Sequence, residues 1–183
     1  MIAIALGKKG MGKSALIRKL VCRLTAQRRA TFFHDPQEQV STANVGRVYT
    51  SIGQWRADAR PTYLSVFREV ELEEVAALAL QVRDVTLAAD ELDRATNGKS
   101  WLSPSTKRIV HEGRHYRVSL LGAFRRTANV SEDMLSQTDY AALFHTSAGS
   151  PYDLQAIGKR FGPAYAEAVT TLENGQFVVW SDD

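Results

Sequence analysis

Gly7, Gly12, Lys13 and Ser14 stand in the stretch GKKGMGKS. A glycine, four residues, then glycine-lysine-serine is a pattern suited to wrapping a chain of phosphates. Glycines let backbone N–H groups converge on phosphate oxygens with no Cβ in the way, and a helix starting there adds its positive end. Lys13 is expected to reach the β- and γ-phosphates of a nucleoside triphosphate, and the Ser14 hydroxyl to ligate Mg2+. The run Gly7, Lys8, Lys9, Gly10, Met11, Gly12, Lys13, Ser14 and Ala15 is therefore the predicted binding segment, with ATP and Mg2+ as its ligands. The competing reading is a glycine-rich strand-to-helix turn with no ligand.

A triphosphate needs a second anchor for its magnesium and, for hydrolysis, a base for the attacking water. The apolar run Val85 to Ala89 ends in Asp90 and Glu91. Asp90 is expected to hold the metal through its water shell, and Glu91 to polarise the nucleophilic water. Acids at a strand end are common, so the pair gains its meaning from the phosphate loop upstream. Asp-Glu suits P-loop ATPases that use an additional strand and a catalytic glutamate. A guanine-specific N-K-x-D motif is not present, and TNGKS does not supply one.

These residues need a scaffold that brings loop and acids together. IAIAL reads as a buried strand running into the loop, and KSALIRKLVCRLTAQRR carries apolar residues at 16, 17, 20, 21 and 24, the helical period. ATFFHD, TYLSVF, DVTLAADE, YRVSLLGAF, YAALFHT and GQFVVW read as strands. VELEEVAALALQV, SPSTKRIVHEGR and most of 150–172 read as helices, whereas 41–61 yields only a loop or short helix ended by Pro61. Strands alternating with helices predict an α/β fold with a mostly parallel central sheet flanked by helices. At 183 residues without repeats or long linkers, residues 1–183 are expected to form one domain.

The net charge of +3 is small, but its distribution is uneven: residues 1–30 hold eight Lys or Arg and no acid, and residues 99–126 hold seven against one Glu. Such blocks suit either a polyanionic partner or a solvated helix face. Lone Cys22, among Ile17, Leu20, Val21 and Leu24, reads as a small core hydrophobe, and a reducing interior is the expected setting. No stretch approaches a membrane span, and the short first apolar run does not read as a signal peptide. His34, His111, His115 and His145 lack metal-ligand spacing.

GKKGMGKS, FFHDPQE, TLAADE and GRHYRVSLLGAFRRTANVSEDMLSQTDYAALFHTS resemble successive blocks of the FtsK–HerA superfamily of DNA-pumping ATPases. The compact form is similar to genome-packaging ATPases of tailless icosahedral viruses with an internal membrane. The resemblance implies a RecA-like P-loop NTPase that hydrolyses ATP to move double-stranded DNA into a preformed capsid. It also implies a homo-oligomer, a hexameric ring; a capsid-vertex or viral membrane protein as partner; and a place in the host cytoplasm and the virion. Superfamily members usually end the strand after the acidic one in Gln-Arg, the Gln sensing the γ-phosphate; here Arg125 holds the Gln position, followed by Arg126. Arg114 matches an arginine of the pattern and is the first choice for a finger supplied to a neighbouring subunit, with Arg94 and Arg108 as alternatives. Lys99, Trp101, Lys107 and Arg108 are the expected DNA-gripping residues, the other reading being a core Trp101 with solubilising lysines.

Two other classes compete. A ParA-type nucleotide switch would use Lys8 as its extra lysine, although Lys9 stands where its loop has a small residue. A small-molecule phosphotransferase would need a mobile lid, and no arginine-rich insertion supplies one. A filamentous-phage assembly ATPase is close in pattern, but such proteins usually carry a membrane span.

Overall fold

The computed structural model of the chain describes residues 1–38, 46–59, 62–96, 101–127 and 130–182. Strands β1 (Ile2–Leu6), β2 (Thr31–His34), β3 (Arg47–Tyr49), β4 (Leu64–Phe67), β5 (Thr86–Ala89), β6 (Ser119–Phe124), β7 (Tyr140–Phe144) and β8 (Phe177–Ser181) form one sheet in the order β3-β4-β2-β5-β6-β1-β7-β8. Every pairing is parallel except that of β7 with β8. Between them run helices α1 (Lys13–Ala26), α2 (Ile52–Ala57), α3 (Leu72–Val82), α4 (Pro104–Tyr116), α5 (Glu132–Ser136), α6 (Pro151–Phe161) and α7 (Pro163–Thr171), with a 3-10 turn at Leu92–Ala95.

The two faces of the sheet are covered differently. Ile2, Ile4 and Leu6 of β1 pack with the apolar stripes of α3 and α4, including Val75, Leu78, Ala79, Ile109 and Val110. The alternate residues pack with Ile17 and Val21 of α1. Under that single helix β1, β5 and β6 place Ala5, Ala88 and Ala123, with Leu121 the larger residue that β6 adds. Period-two alternation in the strands and the i, i+4 spacing of Ile17 and Val21 are the same pattern read on the two elements. Cys22 corrects the sequence reading: it is exposed, because α1 buries its Ile17–Val21 line and the next residue is rotated toward solvent.

The edges also hold what sequence patterning missed. Strand β3 is three residues long, two of them exposed, too short to show a period. Helix α5 is five residues, started by the Ser131 hydroxyl, which accepts from the Met134 N–H at 3.2 Å. The helical region near the C-terminus breaks at Gly162, whose φ of 106° ends α6 before Pro163 begins α7. The predicted strand YRVSLLGAF begins later than its pattern suggested, since Tyr116 ends α4 and Arg117 turns the chain at φ 54°.

Gly122 lies in β6 directly against the 3-10 turn. A Cβ there would stand 2.5 Å from Leu92 Cδ2 and 3.0 Å from Leu92 Cβ, and Leu92 is fully buried. Gly122→Ala should therefore destabilise the protein by about 1–3 kcal/mol through overpacking. Chemical denaturation measures this, and a change under about 0.5 kcal/mol would mean that the turn at Leu92 moves aside freely.

Candidate active site

In a parallel sheet every strand delivers its C-terminal end to the same edge. The ends of β1, β2, β5, β6 and β7 thus present the phosphate loop, Asp35, Asp90-Glu91, Arg125-Arg126 and His145-Thr146 together. β6 lies between β1 and β5, the additional strand that the Asp-Glu pair pointed to. Arg125, which directly follows this strand, therefore stands between loop and acids.

The loop is held in a shape only glycine adopts easily. Gly7, Gly10 and Gly12 have φ of 139°, 85° and 99°. A Cβ on Gly7 would lie 2.8 Å from Phe144 Cβ. The loop is tied at both ends, by the Lys8 N–H donating to the His145 carbonyl at 3.0 Å and the Gly175 N–H donating to the Met11 carbonyl at 3.2 Å. Lys13 is 7% exposed, and its ammonium donates to the carbonyls of Gly7 at 2.6 Å and Lys8 at 2.7 Å. Burial pulls the Lys13 pKa below that of an ordinary lysine, Asp93 and Asp90 pull it back up, and Arg125 adds to the lowering. An anion against this ammonium would offset its desolvation, which suits a phosphate.

A cleft of about 260 Å3 joins loop and acids, lined by Lys9, Gly10, Gly12, Lys13, Ser14 and Ala15 on one side and Gln37, Asp90, Glu91 and Arg125 on the other. The Asp90 Oδ1 is buried with no hydrogen-bond partner. That orphaned oxygen, facing a cleft shared with Ser14, fits a cation. No group of three or more acidic, His or Cys ligands forms a metal cage among the described residues. Magnesium needs none, because it binds through one or two protein oxygens, phosphates and waters.

Glu91 is held by three side chains. It accepts hydrogen bonds from Gln37 Nε2 and from Arg125, and from Arg94 Nε at 2.9 Å. Asp93 then fixes Arg125 from behind: its Oδ2 accepts from the Arg125 backbone N–H at 2.9 Å. Burial pushes the Asp93 carboxyl above the ordinary carboxylate range, opposed by hydrogen bonds from the backbone N–H groups of Arg125 and of Asp93 itself, and by the Lys13 charge. Sequence reasoning missed Gln37 and Asp93. The signals were there in the Asp35-Pro36 turn, which sets Gln37 beside Glu91, and in the third acid of ADELD. Asp35, wholly buried, is 3.7 Å from Arg68, and its carbonyl accepts from the Glu38 N–H at 3.2 Å to close the turn.

The remaining predicted arginines and DNA contacts do not gather at this cleft, apart from Arg94, which reaches Glu91 at its wall. Arg114 is 86% exposed and lies 3.3 Å from Asp139, at the opposite end of the sheet beside Ile2 and Val118. Arg94 pairs with Glu91, and Arg108 pairs with Glu112 at 3.0 Å while stacking on Tyr116. Lys107 is 3.6 Å from Asp133. Trp101 is 47% exposed, so it is not a core residue. Lys99 lies outside the described residues.

The class defined by this fold is the RecA-like P-loop NTPase. Over 98% of this chain and 91% of the other, it matches the genome-packaging NTPase B204 of Sulfolobus turreted icosahedral virus 2 in complex with ATP-gammaS, at a TM-score of 0.83 and 23% identity. The DNA-packaging ATPase B204 of Sulfolobus turreted icosahedral virus matches over 98% and 91% of the two chains, with TM-score 0.78 and 19% identity. The monomer form of the pCW3 conjugation coupling protein TcpA, with ATPgS, matches 99% of this chain but 57% of its own, with TM-score 0.67 and 12% identity. No protein-family model and no curated protein sequence matches the chain.

The Asp93–Arg125 bond separates two substitutions. Asp93→Asn keeps an acceptor for the Arg125 N–H and relieves a buried charge, so its stability should equal or exceed that of the wild type. Asp93→Ala should lose about 1–3 kcal/mol, leaving that N–H without its partner. Equal stability of the two variants in chemical denaturation would show that the bond does not hold Arg125 in place.

Proposed function

We propose that this chain is an ATP-hydrolysing motor that translocates double-stranded DNA into a preformed viral capsid. The observation that carries the reading is the convergence of Lys13, Ser14, Asp90, Glu91 and Arg125 on one cleft. It sits on a fold shared almost end to end with a genome-packaging NTPase.

In this reading the backbone of Gly7 to Ala15 cradles the phosphates, and Lys13 turns its ammonium from the loop carbonyls to the β- and γ-oxygens. Ser14 and Asp90 would hold Mg2+, whose chemistry is to neutralise charge on the β- and γ-phosphates. Glu91 orients and deprotonates the water that attacks the γ-phosphorus. Arg125, now paired with Glu91, is the γ-phosphate sensor in place of an amide. A guanidinium can bridge Glu91 and a phosphate oxygen because its donors form a planar fork. Gln37 and Arg94 hold the Glu91 carboxylate in position meanwhile.

A ring supplies what one chain lacks. An arginine acting in trans must stand away from its own nucleotide, and Arg114 does. Its exposed pair with Asp139 is weak enough to be exchanged for a phosphate contact. Arg94 is less suited, since it holds the Glu91 of its own subunit, and Arg108 would have to give up both Glu112 and the Tyr116 ring. A hexamer with Trp101, Lys107 and Arg108 toward its channel would grip the DNA backbone without reading sequence, Lys99 lying outside the described residues. No helix among the described residues is long and apolar enough to cross a membrane. In this reading a capsid or viral membrane protein recruits the motor to the packaging vertex from the host cytoplasm.

ATP turnover measured with and without duplex DNA, alongside the mass of the assembly, tests the proposal. DNA-stimulated hydrolysis by a hexamer is expected, whereas nucleotide-gated dimers would favour the ParA-type switch. Glu91→Gln should keep ATP binding and lower turnover by at least about 10²-fold. Wild-type turnover in that variant would remove Glu91 from the role of base.

A further inference from the structure

A second cavity, of about 400 Å3, opens beside the phosphate loop toward the end of β7. Lys8, Lys9, Arg125 and Arg126 line it against one acid, Asp153. Lys8, Lys9 and Arg126 form no ion pair with a described residue, and among the described lining residues the four cations outnumber the one acid, so the cavity carries an excess of positive charge. Thr127 is an independent indication. It lines the same cavity, is 1% exposed, and its Oγ1 is buried with no hydrogen-bond partner. Buried hydroxyls are rarely left in that state, and an oxygen-rich ligand would satisfy it.

Lys9 and Arg125 line this cavity and the cleft of the acids alike, so the two chambers share a wall. We infer that the second cavity is a site for inorganic phosphate, receiving the product of hydrolysis from the γ position before it reaches solvent. The inference rests on the ATPase reading. In that reaction the water oxygen bonds to the γ-phosphorus and the bond to the β–γ bridging oxygen breaks. ADP leaves with the electron pair, and the water's protons pass to hydrogenphosphate and to solvent. Hydrogenphosphate is anionic on three oxygens and a donor at the fourth. The lysines and arginines meet the first, and the Asp153 carboxylate can accept from the P–OH. Sulfate and a DNA phosphodiester have no such donor at neutral pH, which sets the expected selectivity.

The test is calorimetric titration of inorganic phosphate into the full chain saturated with Mg-ADP, so that the loop is already filled. One phosphate per chain should bind, with sulfate weaker by about tenfold or more. Arg126→Ala and the near-isosteric Thr127→Val should each weaken phosphate about tenfold while ADP affinity, the check on folding, is unchanged. Asp153→Asn should narrow the preference for phosphate over sulfate. Binding that neither Arg126→Ala nor Thr127→Val alters would place the phosphate at the γ position and overturn the inference. Absence of phosphate binding to the ADP-loaded chain would do the same. Displacement of phosphate by a short DNA duplex with no phosphate selectivity would reassign the cavity to the DNA backbone. Failure of ADP to bind, read separately in its own titration, would overturn the ATPase reading and this inference with it.

Discussion

The position of β6 between β1 and β5 is the constraint on which the site depends. A strand inserted there sets the phosphate loop and the Asp90-Glu91 pair one strand apart, the space that a γ-phosphate and its attacking water would need. It also makes Arg125, the residue that follows β6, the natural bridge. Arg125 meets Glu91 with its side chain and Asp93 with its backbone, so the sheet order controls the contact between loop and acids.

Charge at this edge is balanced in a way that favours a further anion. Lys13 is buried with its ammonium on two carbonyls, and desolvation outweighs the help of Asp90 and Asp93. Arg125 and Arg94 are drawn to Glu91. Asp90 keeps one buried oxygen without a partner. A phosphate would meet the cations and a metal the carboxylate, so the magnesium nucleotide of the proposed reaction would answer both at once. At the opposite edge of the sheet the described residues form exposed pairs such as Arg117 with Asp84 at 3.3 Å, which are screened by solvent.

The loop's rigidity comes from two sides of the fold. Phe144 of β7 packs so close to Gly7 that a Cβ would not fit. The turn before β8 bonds Gly175 to Met11, and Phe177 stacks on Phe144 at 5.0 Å. The antiparallel edge strand therefore serves the site as well as closing the sheet, since the turn that reverses the chain into β8 rests on the loop.

Local chemistry was enough to read the glycine-rich loop between β1 and α1, the acidic strand end and the α/β order of elements from the chain alone. Glycine spacing, strand alternation and helical period are properties of neighbouring residues, and neighbouring residues are what a sequence displays. For the same reason β3 and α5, too short for a period, were missed, and Cys22 was placed on the wrong side of α1. Glu91 and Asp90 were legible as acids at a strand end, but not their unequal surroundings. That Glu91 would collect Gln37, Arg94 and Arg125 while Asp90 kept an orphaned oxygen depends on contacts across as many as 54 positions. Asp93 under Arg125 and Thr127 in a second cavity likewise exist only once parallel strands bring their ends to one edge. Sequence specified which groups could do the chemistry; packing decided which of them meet, because hydrogen bonds and charge act over a few ångströms of space and not over distance along the chain.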